Sequence, residues 1–495
     1  MKTGASYVVP STVTHIDAGA FAYSSLNTIT LPEHLTQIKE RTFYKCQDLA
    51  AIEIPAGVDT IGSEAFYNCK SLKKATLHSG VKYIGYDAFY NCESLESINL
   101  PEGITEIKSS ALYNCRSLTT LEFPSTLQYL DGGVFQGCKS LVTIKISSSV
   151  LSIGEYWAKE DELEEYDDRE YRTTIAGDVD FNDGEAAIGY ENPMPNLTMV
   201  EAPAWFFDVP EKYWTICPKY LENVTVNRGE MSDNVFGVIN RSYKTLKSLD
   251  ISNTSNTSLA DEAFKDHYNL TSLFLPANLT RVSYMAVAGC KNLKAIDIPA
   301  SVEEIAQSAF EDCRSIETIT FGGKQPSTAP GRSARAAESQ LRRIGNWAFY
   351  NAHELQHLEI PEGVEEIGDG AFYGCTYLED LVLPSTVRSI GDNCFALCSK
   401  LNMIVVSSSE PPAIAPKTFY DVERQIPVYV PDDCIEAYED DQLWGEFDIQ
   451  GVSNMPSALA NTSAEAARTG KVIRNGQLLI LRDGKTYTVH GQEVR

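Results

Sequence analysis

The chain has 495 residues, of which 43% are hydrophobic, and its formal net charge is −27. The hydrophobic content is typical of a folded protein. The acidic balance argues against binding to nucleic acid or to an anionic membrane surface, since both require a basic patch. No apolar run approaches the roughly 20 residues needed to cross a bilayer, so the sequence predicts no transmembrane segment.

A repeated pattern runs from the first residues. Tyr7-Val-Val-Pro10 aligns with Ile98-Asn-Leu-Pro101, so the chain opens within a repeat, and we expect a truncated N-terminus from which the usual export signal is absent. The unit is clearest at residues 54–77. Its phenylalanine and cysteine recur every 23 residues, with one leucine in the series, at Phe43, Phe66, Phe89, Leu112 and Phe135 and at Cys46, Cys69, Cys92, Cys115 and Cys138. This period predicts a solenoid and is too short for the two-helix repeats of 33 or more residues.

Each unit is predicted to contain one short strand and one tight turn. The strand follows an L-x-x-h-x-h pattern, whose apolar positions in residues 54–77 are Leu72, Ala75 and Leu77. In most copies a proline such as Pro101 ends the strand, because proline cannot donate to the ladder. Gly62 allows a turn at little steric cost. The spacing of Ala65, Phe66 and Cys69 is compatible with one helical turn.

Two sets of side chains are candidates for ligand binding. The first is a tyrosine row directly after the core phenylalanine, which includes Tyr44, Tyr67, Tyr90, Tyr113, Tyr350 and Tyr373. Tyrosine offers a large contact area at low entropic cost, but the same row could be a packing ladder between turns. The second set alternates with the buried strand positions, and its members are Glu53, Thr76, Asn99, Glu122, Lys145, Phe274, Asp297, Glu359 and Val382. These positions vary freely, as a binding face would.

The 12 cysteines are interpreted mainly as packing residues. Nine of them, including Cys290 and Cys313, share one register beside the core phenylalanine. A free cysteine behaves as a small buried hydrophobe. Disulfides between neighbouring turns are the alternative.

The repeat stops between Glu155 and Pro195, where residues 155–192 carry 14 acidic and 3 basic side chains. Asp178, Asp180 and Asn182 in this insert begin like a calcium-binding loop. The glycine comes one position late, and Gly189 stands where a bidentate glutamate is required. A solvated acidic loop and a weak calcium site both remain open.

The frame resumes through Leu197, Leu221, Leu246 and Leu270, at spacings of 24 or 25, which predicts degenerate turns over residues 197–260. A second insert, near residues 324–339, is rich in small residues and proline and is interpreted as a flexible loop.

The sequence His353-Glu354-Leu355-Gln356-His357 satisfies the H-E-x-x-H pattern of zinc proteases. In those enzymes a helix places both histidines on one face, where they bind the same ion. Here Leu355 is the repeat leucine, so His353 is expected in a turn and His357 in a strand. A zinc hydrolase is therefore only a remote alternative, and no cofactor is expected.

Beyond residue 410 the repeat fades. Residues 411–452 are predicted to cap the solenoid, with a final strand at Val428–Val430 and with Tyr438, Trp444 and Phe447 over the exposed core. Residues 453–470 have the composition of a linker. Turn signals at Asn475-Gly476 and Asp483-Gly484 predict a short β-meander over residues 471–495.

Phrases such as "IGSEAFYNCKSLKKATL" and "IGDGAFYGCTYLEDLVLPSTVRSIG" resemble the consensus of the BspA-like leucine-rich repeat proteins of bacterial surfaces. The resemblance covers most of residues 7–407, and it implies a leucine-rich repeat solenoid over residues 1–410. That family carries a similar aromatic segment after its repeats. The tail resembles C-terminal sorting segments of proteins exported by type IX secretion.

The resemblance also implies a secreted or cell-surface adhesion protein. We therefore expect a non-enzymatic protein that binds extracellular protein or glycan ligands, with host matrix proteins among the candidates. A passive stalk or spacer is the alternative function.

Overall fold

The computed structural model describes residues 5–150, 152–153, 171–174, 177–180, 194–209, 211, 217–322, 339–455, 471–474, 477–482, 485–488 and 493–494. The chain divides into two compact units. The first comprises residues 1–340 and 348–352, and the second residues 341–347 and 353–495. Both contain parallel strands that repeat about every 23 residues, as Ile52 opposite Ala75 illustrates, so the predicted leucine-rich repeat solenoid is confirmed.

The longer strand of each turn joins what we call the major sheet. In the first unit it forms three parallel ladders. Their strands are Ala5–Val8, Leu26–Thr30, Ala51–Glu53, Lys74–Thr76 and Ser97–Ile98; Thr120–Glu122, Thr143–Lys145, Met199–Ala202, Asn223–Val226, Ser248–Asp250 and Ser272–Phe274; and Ala295–Ile298 and Thr318–Phe321. Side chains alternate along each strand, and those that point inward, such as Leu121, Ile144 and Leu249, are fully buried.

A second strand of two residues in most turns joins what we call the minor sheet. Its strands in the first unit are Gln37–Ile38, Thr60–Ile61, Tyr83–Ile84, Glu106–Ile107, Tyr129–Leu130, Ser152–Ile153, Arg281–Val282 and Glu304–Ile305. The glycine that follows a strand of the minor sheet is needed for a steric reason. A Cβ at Gly62 would lie 2.6 Å from the backbone nitrogen of Glu40 in the preceding turn, so neighbouring turns can approach this closely only where there is no side chain.

The segment around the core phenylalanine is a run of hydrogen-bonded turns instead of the helical turn that the spacing suggested. Glu64 and Asn68 have φ values of 55° and 58°, and such left-handed residues interrupt a right-handed helix. Asparagine tolerates this conformation. Its amide also links successive turns, since Asn91 donates to Asn68 over 3.1 Å and Asn114 donates to Asn91 over 2.7 Å.

The core phenylalanines stack along the first unit. The ring of Phe66 lies 5.1 Å from that of Phe43 and 5.0 Å from that of Phe89, nearly parallel to both. Phe310 and Phe349 form the same stack at 5.0 Å. The phenylalanine column predicted from the repeat is thus one continuous element of the core wherever the sequence keeps it.

The acidic insert leaves the array at one turn and the array then continues. Thr143–Lys145 pairs directly with Met199–Ala202, which pairs with Asn223–Val226. Within the insert, Tyr171–Thr174 and Gly177–Asp180 form an antiparallel hairpin. The described residues between 197 and 260 form solenoid turns, and two of these turns contain helices that the sequence did not predict, Ala204–Phe207 and Asp233–Asn240.

The second unit repeats this plan. Its major-sheet strands are His357–Glu359, Asp380–Leu383, Met403–Val406, Pro427–Val430 and Asp448–Gly451, and its minor-sheet strands are Arg343–Ile344, Glu366–Ile367, Ser389–Ile390 and Ala413–Ile414. The prediction that Val428–Val430 is the final strand is wrong, because Asp448–Gly451 pairs with this strand as a further one. Only one apolar residue, Ile449, marks this strand in the sequence.

Aromatic side chains close the core of the second unit, as predicted. Tyr438 and Trp444 are fully buried, and Phe447 nearly so. The Tyr438 hydroxyl donates to the carbonyl of Ser408 over 2.9 Å, and the Trp444 indole donates to that of Pro412 over 2.8 Å. Tyr438 lies in the α-helix Ile435–Glu439 and Trp444 in the 3-10 helix Trp444–Glu446, and a further 3-10 helix, Val452–Asn454, follows the last strand.

The C-terminal tail forms the predicted β-meander. Its antiparallel strands are Lys471–Arg474, Gln477–Arg482, Lys485–Thr488 and Glu493–Val494.

Across the described parts of the chain, no helix has the length and apolar character that a membrane span requires.

Candidate binding surface

A continuous row of outward side chains crosses the major sheet of the first unit. We call it the outward row, and it consists of Glu122, Lys145, Glu201, Thr225, Asp250 and Phe274. Each member lies opposite the next in the parallel register, so six neighbouring strands contribute one residue each. The row exists because the alternate positions on these strands are buried.

Charge is unevenly distributed along the outward row. Lys145 Nζ lies 2.8 Å from Glu122 Oε1 in a pair that is about half exposed. Its hydrogen bond to Glu122 and the nearby charge of Glu201 raise the pKa of Lys145. Asp250 accepts hydrogen bonds from the backbone nitrogen and hydroxyl of Ser252, at 2.9 and 2.6 Å. Among the described residues, no cationic side chain forms an ion pair with Glu201 or Asp250.

The row ends on an exposed aromatic ring. Phe274 is 52% exposed, whereas Leu273 beside it is buried. A polar groove lies beside the row, lined by Glu122, Lys145 and Glu201 and also by Glu102, Ser147 and Asn227. The surface therefore offers carboxylates, hydroxyls and one apolar ring on a single face of the sheet.

Two other predicted positions on this sheet have local partners. Asn99 donates to the carbonyl of Leu77 over 2.6 Å and accepts from its backbone nitrogen over 2.9 Å. The amide thus bonds to the preceding turn just beyond the strand Ser97–Ile98, and it is engaged in the fold. Glu53 Oε1 lies 3.5 Å from His78 Nε2. The repeat frame places both residues correctly but gives no signal of these contacts.

The tyrosine row lies outside the sheet, on the turn segment, and therefore does not join the outward row. Tyr44, Tyr67, Tyr90 and Tyr113 stack with ring centroids 4.7–5.1 Å apart and ring planes within 11° of parallel. Each ring covers the face of its neighbour, and all four residues are half-buried. Burial, followed by the neighbouring tyrosines, raises the pKa of Tyr67 and Tyr90. This is the geometry of a packing ladder.

The repeat cysteines are free and buried. The thiol of Cys69 donates to the carbonyl of Phe43 over 3.1 Å, and that of Cys92 to Phe66 over 3.2 Å. Burial raises the pKa of both thiols, which makes them poor nucleophiles and poor metal ligands. Cysteine thus fills the column as a small apolar side chain that can also donate to the neighbouring turn.

The histidines of the HELQH sequence have separate partners. His353 lies in a turn, where Nδ1 is 3.0 Å from the carbonyl oxygen of Gly374. His357 lies in the strand His357–Glu359 and contacts the carboxylate of Asp380. Both placements agree with the repeat frame. In the part of the chain that the structure describes, no group of three His, Cys, Asp or Glu side chains could hold a metal ion.

The weak calcium candidate is only partly described. Asp178 and Asp180 belong to the strand Gly177–Asp180, paired opposite Thr173 and Tyr171, and Asn182 lies outside the described residues. At these two aspartates the backbone is therefore a strand, which differs from the calcium-binding loop considered above.

Comparison with known proteins relates this chain to a repeat family. The model of the BspA type leucine-rich repeat region matches residues 4–86, 59–177, 232–329 and 335–437. A leucine-rich repeat protein from Bacteroides ovatus is 21% identical over 81% of this chain and 78% of its own, with a TM-score of 0.30. A leucine-rich cell surface protein from Faecalibacterium prausnitzii is 21% identical over 81% of this chain and 87% of its own, with a TM-score of 0.24.

The pneumococcal vaccine antigen PcpA is 15% identical over 90% of this chain and 89% of its own, with a TM-score of 0.27. No curated protein sequence matches the chain.

Proposed function

We propose that this chain, which belongs to the BspA-type leucine-rich repeat family, is a secreted or cell-surface protein whose function is to bind extracellular proteins or glycans. Ligands bind to its repeat-built sheet surface, and the protein performs no catalysis. Matrix proteins of a host are candidate ligands. The β-meander at residues 471–494 is the candidate sorting segment.

The observation that carries this proposal is the contrast between the two faces of the major sheet. The inward positions keep one chemistry, as Leu121, Ile144 and Val200 show. The outward residues of these strands, for example Glu122 and Phe274, differ in charge, size and polarity although they occupy equivalent positions. Free variation on one face beside a constant inward face is what a binding surface shows.

A binding panel tests the proposal. The purified chain is passed over immobilised matrix proteins and a glycan array, and the response is compared with that of Glu122→Ala/Thr225→Ala/Phe274→Ala. A matched control, Gln128→Ala/Glu303→Ala/Glu317→Ala, changes three exposed residues outside the row. We expect the wild type and the control to bind a panel member and the row variant to lose at least tenfold in affinity.

Two results would contradict the proposal. Equal binding by the row variant and the control would show that the outward row is not the binding surface. Failure of the wild type to bind any panel member, with intact folding by circular dichroism, would favour a passive spacer.

A further inference from the structure

The acidic members of the outward row recur at every second strand. Glu122, Glu201 and Asp250 are separated by Lys145 and Thr225, one per intervening strand. Neighbouring strands in a sheet lie about 4.8 Å apart, so consecutive acidic positions are spaced at about 9.6 Å. Asp297 has the equivalent position two turns after Asp250 in the repeat.

This spacing distinguishes between the shapes that a partner segment can have. A polyproline II helix advances about 3.1 Å per residue with three residues per turn, so every third side chain returns to the same face after about 9.3 Å. In an extended strand, same-face side chains recur at about 6.6 or 13 Å. An α-helix is the next nearest, with about 10.5 Å over seven residues, and its mismatch is about three times that of the polyproline II helix.

Charge complementarity defines the residues of that segment. Lys145 already neutralises Glu122, which leaves Glu201 and Asp250 as the negative charges of the row. Their carboxylates are too far apart to share one metal ion, which needs ligands within about 2.6 Å of itself. A partner with cationic side chains at the matching interval satisfies both carboxylates.

We propose that the outward row docks a polyproline-II segment of a partner protein that carries Lys or Arg at every third residue and runs across the strands. One cationic side chain meets Glu201, the next meets Asp250, and an apolar side chain beyond them contacts Phe274. This inference rests on the proposed function and specifies its ligand class.

Fluorescence anisotropy with two labelled peptides tests the spacing. One is (Pro-Pro-Lys)5, and the other has the same ten prolines and five lysines in two blocks. We expect the full chain to bind the spaced peptide at least threefold tighter than the block peptide. Glu201→Gln/Asp250→Asn should weaken binding of the spaced peptide by about threefold to tenfold, as expected for the loss of two exposed ion pairs. The charge-matched control Glu303→Gln/Glu317→Gln should leave it unchanged.

A second variant separates spacing from total charge. Thr225→Glu adds a negative charge between Glu201 and Asp250 and removes the alternation, so it should improve binding of the block peptide more than that of the spaced peptide. Equal improvement would show that only net charge matters and would overturn the proposal. Equal affinity of the wild type for both peptides would do the same, as would a dimer that Glu201→Gln dissolves, because a second copy would then occupy the face.

The two proposals fail separately. If the peptides bind alike while the panel ligand still depends on the outward row, the binding function stands and only the ligand class is wrong. If the wild type binds no panel ligand at all, the proposed function itself is contradicted.

Discussion

Replacing Phe66 by alanine tests the idea that stacked columns hold the solenoid together. Phe66 is fully buried, and its ring has parallel neighbours at 5.1 and 5.0 Å. Burial of the side chain and the cavity left by its removal together account for about 3–5 kcal/mol. Loss of two aromatic contacts, at about 0.5–1.5 kcal/mol each, places the expected value in the upper half of that range.

Urea denaturation followed by circular dichroism measures the change in unfolding free energy. The matched control is Phe66→Leu, because the same column already contains Leu112 in an equivalent, buried position. We expect the leucine variant to lose about 1–1.5 kcal/mol, since it keeps most of the apolar volume. A Phe66→Ala loss below about 1 kcal/mol, or equal losses for both variants, would refute the view that the ring stack is a main source of stability.

Three further predictions concern other parts of the fold. Reductant should leave the melting temperature unchanged, and a thiol reagent should label the buried cysteines only after unfolding, because burial raises the pKa of Cys290 to about 12. Rapid labelling of Cys290 in the native protein would contradict this, whereas Cys434 is only partly buried and is not part of the test. Burial lowers the pKa of His267, so the folded protein holds its imidazole neutral. Its contribution to stability should be complete above about pH 6.5 and decrease as the pH falls below that value, a slope in melting temperature that His267→Gln should reduce. Trp444→Ala should cost about 3–5 kcal/mol by removing the buried cap side chain, whereas Trp347→Ala, at a ring that is 44% exposed, should cost far less in the same denaturation assay.

The buried columns could be predicted from the sequence because every repeat of a solenoid packs the same inward positions against its neighbours. Phe66, Cys69 and Leu72 recur in step and are fully buried. The helix Asp233–Asn240 could not be predicted from this frame, because its residues depart from the repeat. Here Ser232 accepts a hydrogen bond from Val235 and caps a helix where other repeats have turns. At this helix, local capping replaces the repeated turn because the repeat sequence is lost.

The positions of the outward row on both sides of the insert follow from the leucine frame, because Glu201 lies four residues after Leu197 just as Lys145 lies four residues after Leu141. Lys145 and Glu201 are distant in the chain and flank the acidic insert, yet they are partners in adjacent strands. The insert leaves and rejoins the array without shifting its register, so Glu201 falls two strands from Glu122 and two from Asp250. The leucine frame predicts a continuous array across the insert, and parallel pairing produces an even interval. The regular charge spacing on this face is therefore a property of strand pairing, and any ligand that reads it must span the strands rather than follow one of them.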